Sequence, residues 1–425
     1  MRRDLFIIPH QPFDWEIPIF GFGWALALWI LISAIWLIFQ VYRRGWNSEI
    51  IGFLPLFVMV AVAVRYLLPN LEIVDATGTT VGLPIRGYGL MLLLGVVSGL
   101  LLAAWRAQQS KIDPEHIYSL GFAMIVSGIL GARLFYVVQF WDDFATVVQN
   151  GQRVPVGLVP LLKNLTNIAE GGLVVYGSAI GAFLAAWWYL RRHQLPKLLI
   201  ADVIAPSLFL GLSLGRIGCL LNGCCYGDFC DLSWGLSFPP GSPAFQQQQQ
   251  DGSLASARLG ATFALDSQNH VQIQHVVPGS PAARAGTMAG DRVLRINGRP
   301  ADSLSAARSL SVSGNREIEI ETDKKVIRWA LPAIQETSLP VHPTQVYSAI
   351  NAALLCLFLI ALSPFGLPEG AVFATGMTIY PISRFILEMV RAELPIMLGL
   401  TISQLTSLGL ILFATGVWYR ISHRG

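Results

Sequence analysis

Charge is scarce in this sequence of 425 residues: Asp, Glu, Lys and Arg make up 13%, about half the share in an ordinary soluble domain, while 53% of residues are apolar. Such a chain cannot cover itself with a water-compatible surface, and a membrane protein is implied. The 29 Lys and Arg against 26 Asp and Glu leave a net charge of +3, too small to imply a nucleic-acid surface. No H-E-x-x-H occurs, which removes the zinc-protease helix that a polytopic protein with an external module would otherwise suggest. Cys219, Cys224, Cys225 and Cys230 have the spacing C-x4-C-C-x4-C and lack the C-x2-C pairs of common zinc sites. Small-residue packing, one or two disulfides of undetermined connectivity, or a nucleophile at Cys224 or Cys225 would each account for them. No metal and no cofactor is expected. The N-terminal MRRDLFIIPHQPFDWEIPIF lacks a signal-peptide layout, because Pro9, Asp14 and Glu16 interrupt its apolar run. It is read as mature sequence.

Long hydrophobic runs are what the sequence has instead. Nine stretches can cross ~30 Å of hydrocarbon: 19–41, 50–68, 88–105, 117–140, 173–190, 199–221, 345–362, 370–389 and 401–418. Basic residues follow alternate stretches, at Arg43 and Arg44, Arg106 and Lys111, Arg191, Arg192 and Lys197, then Arg420 and Arg424. By the positive-inside bias these ends are cytoplasmic, which places the N-terminus and the long 222–344 connection outside. Arg2 and Arg3 dissent and are outnumbered.

That connection concentrates the charge the rest lacks: 18 of the 55 charged residues lie within 251–335, as a water-soluble domain set into a membrane protein requires. Residues 237–258, SFPPGSPAFQQQQQDGSLASAR, have linker composition. Beyond them, Asn297-Gly298 predicts a turn between strands, 280–286 a short helix start, and REIEIET a half-buried strand. With LGATF, VQIQHVV, PGSPAARAG and GDRVLRINGRP, this segment resembles a PDZ domain. The resemblance implies binding of an extended C-terminal peptide by strand addition, its carboxylate held by the loop Gly260, Ala261, Thr262 and Phe263. A module serving only as spacer or subunit contact is the alternative.

The chain is organised around GRIGCLLNGCCYG at 215–227. Arg216 ends a largely apolar run, and a planar fork of donors beside a membrane helix end suits a phosphate. Gly215, Gly218, Gly223 and Gly227 permit close backbone approach and a positive-φ exit. A snorkelling arginine with small packing residues is the competing reading. Arg384, Glu388 and Arg391 fall at i, i+4 and i+7, on one face of a span where charges are too costly to meet lipid. They form either a site or an internal ion pair. Arg133 is read as a packing or headgroup contact. Residues 16–28 and 82–94 share the frame hydrophobic-Pro-Ile-x-Gly-aromatic-Gly, read either as an old duplication or as the shared need of a helix entry for Pro in its first turn. Arg86 and Tyr88 replace Phe20 and Phe22 in the second copy, so that copy is expected to face the site, against an interfacial aromatic belt.

RGYGLMLLLG (86–95), GARLFYV (131–137), GGLVVYGSAIG (171–181), the 215–227 stretch, HPTQVY (342–347) and SRFILEMVR (383–391) occur in one order. Together they resemble the bacterial prolipoprotein diacylglyceryl transferase family. The resemblance implies transfer of a diacylglyceryl group from phosphatidylglycerol to the lipobox cysteine thiol of a prolipoprotein, at the outer leaflet of the bacterial inner membrane. It assigns Arg216, Arg384, Glu388, His342 and Tyr88 to catalysis, and Arg216, Arg384, Asn222, Gly227 and Tyr176 to the phospholipid. The family's best-known form has Asn at the position of Cys219, an acidic residue at Cys224 and His at Tyr176. A tyrosine is a poor base near neutrality, so a non-catalytic lipid-binding PDZ scaffold is the alternative function. The expected architecture is a polytopic α-helical membrane protein of about nine transmembrane helices with an inserted small α+β PDZ-like domain. Its parts are an extension with two spans (1–82), a membrane core in two pieces (83–238 and 334–425), a linker (239–258) and the insert (259–333).

Overall fold

The computed structural model describes residues 4–11, 17–45, 54, 57–75, 77–149, 152–155, 157, 174–301, 303, 316–333, 335–391 and 395–423. The start of the span expected at 50–68, most of the loop before 174 and residues 304–315 of the insert lie outside them. In chain order the elements are β1 (Asp4–Pro9), α1 (Trp24–Arg44), β2 (Ile73–Val74), β3 (Thr80–Arg86), α2 (Gly87–Gln109), α3 (Pro114–Gln139), α4 (Trp141–Ala145), β4 (Thr146–Gln149), β5 (Gln152–Pro155), α5 (Val175–Arg192) and α6 (Lys197–Asn222). There follow α7 (Pro243–Gln250), α8 (Ser253–Leu259), β6 (Ala261–Leu265), β7 (Val271–Val276), α9 (Pro281–Arg284), β8 (Val293–Ile296), β9 (Arg299–Pro300), β10 (Glu317–Thr322) and β11 (Val326–Ala330). The last helices are α10 (Thr344–Leu362), α11 (Ala371–Glu388) and α12 (Ile402–Ser422).

Among the described residues six helices, α1, α2, α3, α6, α10 and α12, are long and apolar enough to cross a membrane. Two further expected spans coincide with the 18-residue helices α5 and α11, each of which includes two charged residues, Arg191 and Arg192 in α5 and Arg384 and Glu388 in α11. The ninth corresponds to the shorter apolar helix Phe57–Leu71.

The chain divides into two compact units, residues 1–91 with 217–346 and residues 92–216 with 347–425. In the first, an antiparallel sheet of order β1-β3-β2 precedes α2. Pro84 lies in β3, opposite Ile7, and not in the first helical turn that the repeated frame predicted. The chain stays extended there because the residue before a proline disfavours the helical region.

The insert has its own core, including Leu259, Val271, Ile273, Ile318, Ile320 and Trp329. A hairpin, β6-β7, and a four-stranded sheet of order β11-β10-β8-β9 enclose it. Along β10 the alternate residues Ile318, Ile320 and Thr322 are buried, as the period-two pattern requires. Asn297 and Gly298 both take positive φ, 50° and 76°, the geometry of a tight hairpin turn between β8 and β9. Residues 237–258 do not behave as a linker. Ser242 caps α7 through Phe245 N–H, and Gln248 exchanges hydrogen bonds with the Leu339 backbone at 2.8 and 3.4 Å. Ala244 joins Phe238 and Val341 in a small core, while Ala255 and Leu259 of α8 belong to the core of the insert. Gln is a good helix former, which composition-based linker reading overlooks.

In the second unit α3 and α5 meet through small residues. A Cβ on Gly177 would stand 2.4 Å from the Gly131 carbonyl, so that contact demands glycine. Asp202 of α6 accepts the amides of Gly370 and Phe373 at 2.6 and 2.7 Å, capping the start of α11. Arg106 donates to the Asp202 carbonyl and to Ser363 Oγ at 3.1 and 2.8 Å. This polar network anchors one end of α6 to the start of α11.

Candidate functional site

Fourteen residues beyond these anchors on each helix stand the two arginines singled out above, Arg216 on α6 and Arg384 on α11. Their charges are within coulombic reach of one another, so the two helices run side by side in the same direction. Arg384 is held from two sides. Its Nη1 forms an ion pair with Glu388 Oε2 at 2.6 Å, one helical turn on, and its Nη2 donates to Ser403 Oγ at 3.0 Å. Arg391 Nη1 lies 3.6 Å from the same Glu388 oxygen, and Thr401 Oγ1 donates to Glu388 Oε1 at 3.1 Å. Thr401 in turn forms a capping box with Gln404 at the start of α12. Two arginines thus share one carboxylate, with Arg216 as a third cation within coulombic reach of Arg384, in a region where the Arg384 and Arg391 side chains are about nine-tenths buried and Glu388 wholly so. The excess of positive charge, combined with a forked donor fixed in direction, is what an anionic oxygen cluster requires. Glu388 has its oxygens engaged by two guanidiniums and a hydroxyl, which makes it an orienting group.

The first unit contains the end of α6 and the turn after it. Gly218 packs against Tyr88, whose ring would be 3.2 Å from a Cβ added there. Gly223 leaves the helix with φ 72° and Cys225 follows at φ 58°, an unusual conformation for a residue with a side chain. The turn is secured from the start of α10. Buried Gln345 donates through Nε2 to the Cys224 carbonyl, and buried Thr344 through Oγ1 to the Cys225 carbonyl, each at 2.7 Å. Gly227 N–H donates to the His342 carbonyl at 2.8 Å, and His342 N–H returns a bond to the Asp228 carbonyl at 2.9 Å. All five cysteines are thiols, none in a disulfide, and the sulfurs of Cys219, Cys224 and Cys225 lie within 4.8 Å of one another. The bond with Cys219 pulls the Cys224 thiol pKa down, but its bond with Cys225 and burial outweigh this and hold it above the ordinary value. Cys230 is buried outside that triad, and Cys356 lies in the apolar core of the second unit. Burial, followed by the charge of Asp251, pushes the Tyr226 hydroxyl up; it donates to Gln247 Oε1 at 2.5 Å.

The structure therefore groups Arg216, Arg384 and Glu388 in one unit, and Tyr88, Asn222, Gly227 and His342 around the thiol turn in the other. Asn222 hydrogen-bonds Cys224. Tyr176 sits near the start of α5, about half exposed. Arg133 stacks on Tyr136 and Phe144, a packing role. Gly260, with φ 74°, closes α8 by donating its N–H to Ser256. Ala261, Thr262 and Phe263 begin β6, with Ala261 fully buried and Phe263 packed on the insert core. Sequence reasoning missed Thr344, Gln345, Ser403 and Thr401, uncharged residues whose importance lies in contacts across elements. Asp202 and Arg106 could have been found as further charges inside apolar helices.

The family profile described as Prolipoprotein diacylglyceryl transferase matches residues 77–420. A protein of Rhodopirellula baltica named phosphatidylglycerol–prolipoprotein diacylglyceryl transferase is 32% identical over 445 residues, covering 97% of this chain and 87% of that protein. Proteins of the same name match smaller parts. That of Clostridium tetani is 33% identical over 157 residues, 37% of this chain and 57% of its own length. That of Gloeobacter violaceus is 35% identical over 186 residues, 44% of this chain and 62% of its own. With a matching profile over most of the sequence and a relative aligned almost end to end, the chain belongs to the prolipoprotein diacylglyceryl transferase family.

Proposed function

We propose that this protein is a transferase that moves the diacylglyceryl group of phosphatidylglycerol to the lipobox cysteine of a prolipoprotein. The cysteine sulfur attacks the glyceryl carbon, a C–S bond forms, the C–O bond to phosphate breaks, and glycerol phosphate leaves with the bonding electrons. The observation that carries the reading is the pair of cations Arg216 and Arg384, the second held in direction by Glu388 and Ser403. As negative charge gathers on the departing phosphate, their attraction strengthens, which is the condition for catalysis beyond mere binding. Glu388 aims Arg384. Asn222, Gly227 and Tyr176 are assigned to the phospholipid and Tyr88 to the reacting end. His342 takes the thiol proton, since an imidazole serves as a base near neutral pH and a phenol does not.

Around this chemistry the reading extends to nine transmembrane helices, the location in the bacterial inner membrane, and an insert on the outer side. The insert is assigned to the PDZ-like class. Its support is a hairpin plus four-stranded sheet about one core, a short capped helix after PGS, and β6, whose second edge pairs with no strand among the described residues. Because the Gly260 amide is used by α8, a peptide carboxylate would meet the amides that follow it.

Replacing Arg216 or Arg384 with Gln should lower turnover by ~100-fold or more, as loss of one preorganised donor does, and lower phosphatidylglycerol affinity far less. Lys should rescue only in part, because a point charge lacks the fork. Thioether formation per mole of folded protein, beside lipid affinity, reads both. Full specific activity in both Gln variants would remove the pair from the mechanism, and lipid binding without turnover in the unmutated chain would favour the scaffold function.

A further inference from the structure

The thiol turn has a feature the transfer reaction does not use. We propose that Cys219, Cys224 and Cys225 form a three-thiolate binding site for a soft monovalent cation, Cu(I). Three sulfurs already lie within 4.8 Å of one another. Around a metal with bonds of about 2.3 Å, a trigonal set of sulfurs is about 4.0 Å apart, so closure requires movements under about 1 Å. The linear spacing lacks the C-x2-C signature; the fold supplies the convergence instead, by placing Cys219 in the last turn of α6 and reversing the chain after it. The Cys224 amide donates to the Cys219 carbonyl at 3.1 Å, and Gln345 and Thr344, both buried, pin the next two carbonyls at 2.7 Å. The sulfurs are thus carried on a braced frame. Cys225 keeps a left-handed backbone within it, which costs energy and persists only where surrounding contacts enforce it.

Among the described residues no histidine or carboxylate joins the three sulfurs. An all-thiolate set of three matches Cu(I), a soft ion content with low coordination, better than zinc, whose structural sites take four ligands. Binding would release the thiol protons to solvent.

The test is anaerobic titration of the reduced full-length chain in detergent with Cu(I) against the chromophoric competitor bicinchoninate. Roughly one Cu(I) per chain, retained against the competitor and ligated by three sulfurs in X-ray absorption, is expected. Cys219→Ser, Cys224→Ser and Cys225→Ser should each weaken binding by more than ~10-fold, since loss of even an outer partner costs about that much. Cys230→Ser and Cys356→Ser should bind as the unmutated chain does. Failure of the unmutated chain to compete with bicinchoninate, a metal with fewer than three sulfur ligands, tighter retention of zinc than of Cu(I), or equal weakening in Cys230→Ser would each overturn the proposal. The absorption measurement needs no variant, so a misfolded serine variant leaves the test intact.

Discussion

Glu388→Gln is the substitution on which the electrostatic description of α11 stands most exposed. The carboxylate is the shared counter-charge of Arg384 at 2.6 Å and Arg391 at 3.6 Å, and it accepts from Thr401 at 3.1 Å. Glutamine keeps the shape and removes the charge. Two largely buried guanidiniums would then face each other, with a third, Arg216, within reach. Removing one partner of a buried pair costs about 3–5 kcal/mol, and the upper part of that range applies because one anion serves two cations. At about 1.4 kcal/mol per tenfold, this is roughly a thousandfold in the folding equilibrium. Arg391→Gln removes only the longer contact and leaves the 2.6 Å pair, so about 1–2 kcal/mol is expected. The assay is the thermal midpoint of monodispersity in detergent for both variants, with specific activity measured on the folded fraction. Glu388→Gln should melt well below Arg391→Gln. Equal melting of the two, or a Glu388→Gln protein as stable as the unmutated one, would refute the shared-anion account.

Reporters active only in the cytoplasm, fused after Gln250 and after Gly425, should be silent at the first site and active at the second; a signal at Gln250 would reverse the topology. Excision of the insert between Asp251 and Gln335 should leave a folded membrane core with activity on a generic precursor. Excision from 241 should destabilise that core, because it removes Ala244 and Gln248 from the packing around Phe238, Val341 and Leu339. Equal yields from the two excisions would show that α7 contributes nothing. His342→Gln should lower turnover by about 10²–10⁴ with folding preserved, and unchanged turnover would reassign the base.

Most of the membrane architecture was legible because hydrocarbon imposes a length and composition that few other elements share. The stretches 199–221 and 345–362 coincide with α6 and α10 to within two residues at each end. The meeting of Arg384 with Glu388 was readable from helical spacing, whereas Arg391 lies past the end of α11 and approaches the same carboxylate from the turn that follows. Two kinds of feature escaped. One was structure formed by polar, low-complexity sequence, as in α7, where a capped glutamine run gains stability from one buried amide and one buried alanine. The other was contact between distant segments of uncharged residues: nothing in the sequence of Gln345 says that it grips Cys224. The three sulfurs show the same limit, for spacing along the chain argued against a metal while a reversal after α6 brings them together.

The central claim is tested most directly by supplying this protein to a bacterium depleted of its own transferase and following one lipobox precursor by mass. A gain of one diacylglyceryl group on the cysteine, lost when that cysteine is replaced by Ser and strongly reduced with Arg384→Gln, is the predicted result. A precursor of unchanged mass, with the protein folded and present in the membrane, would contradict it.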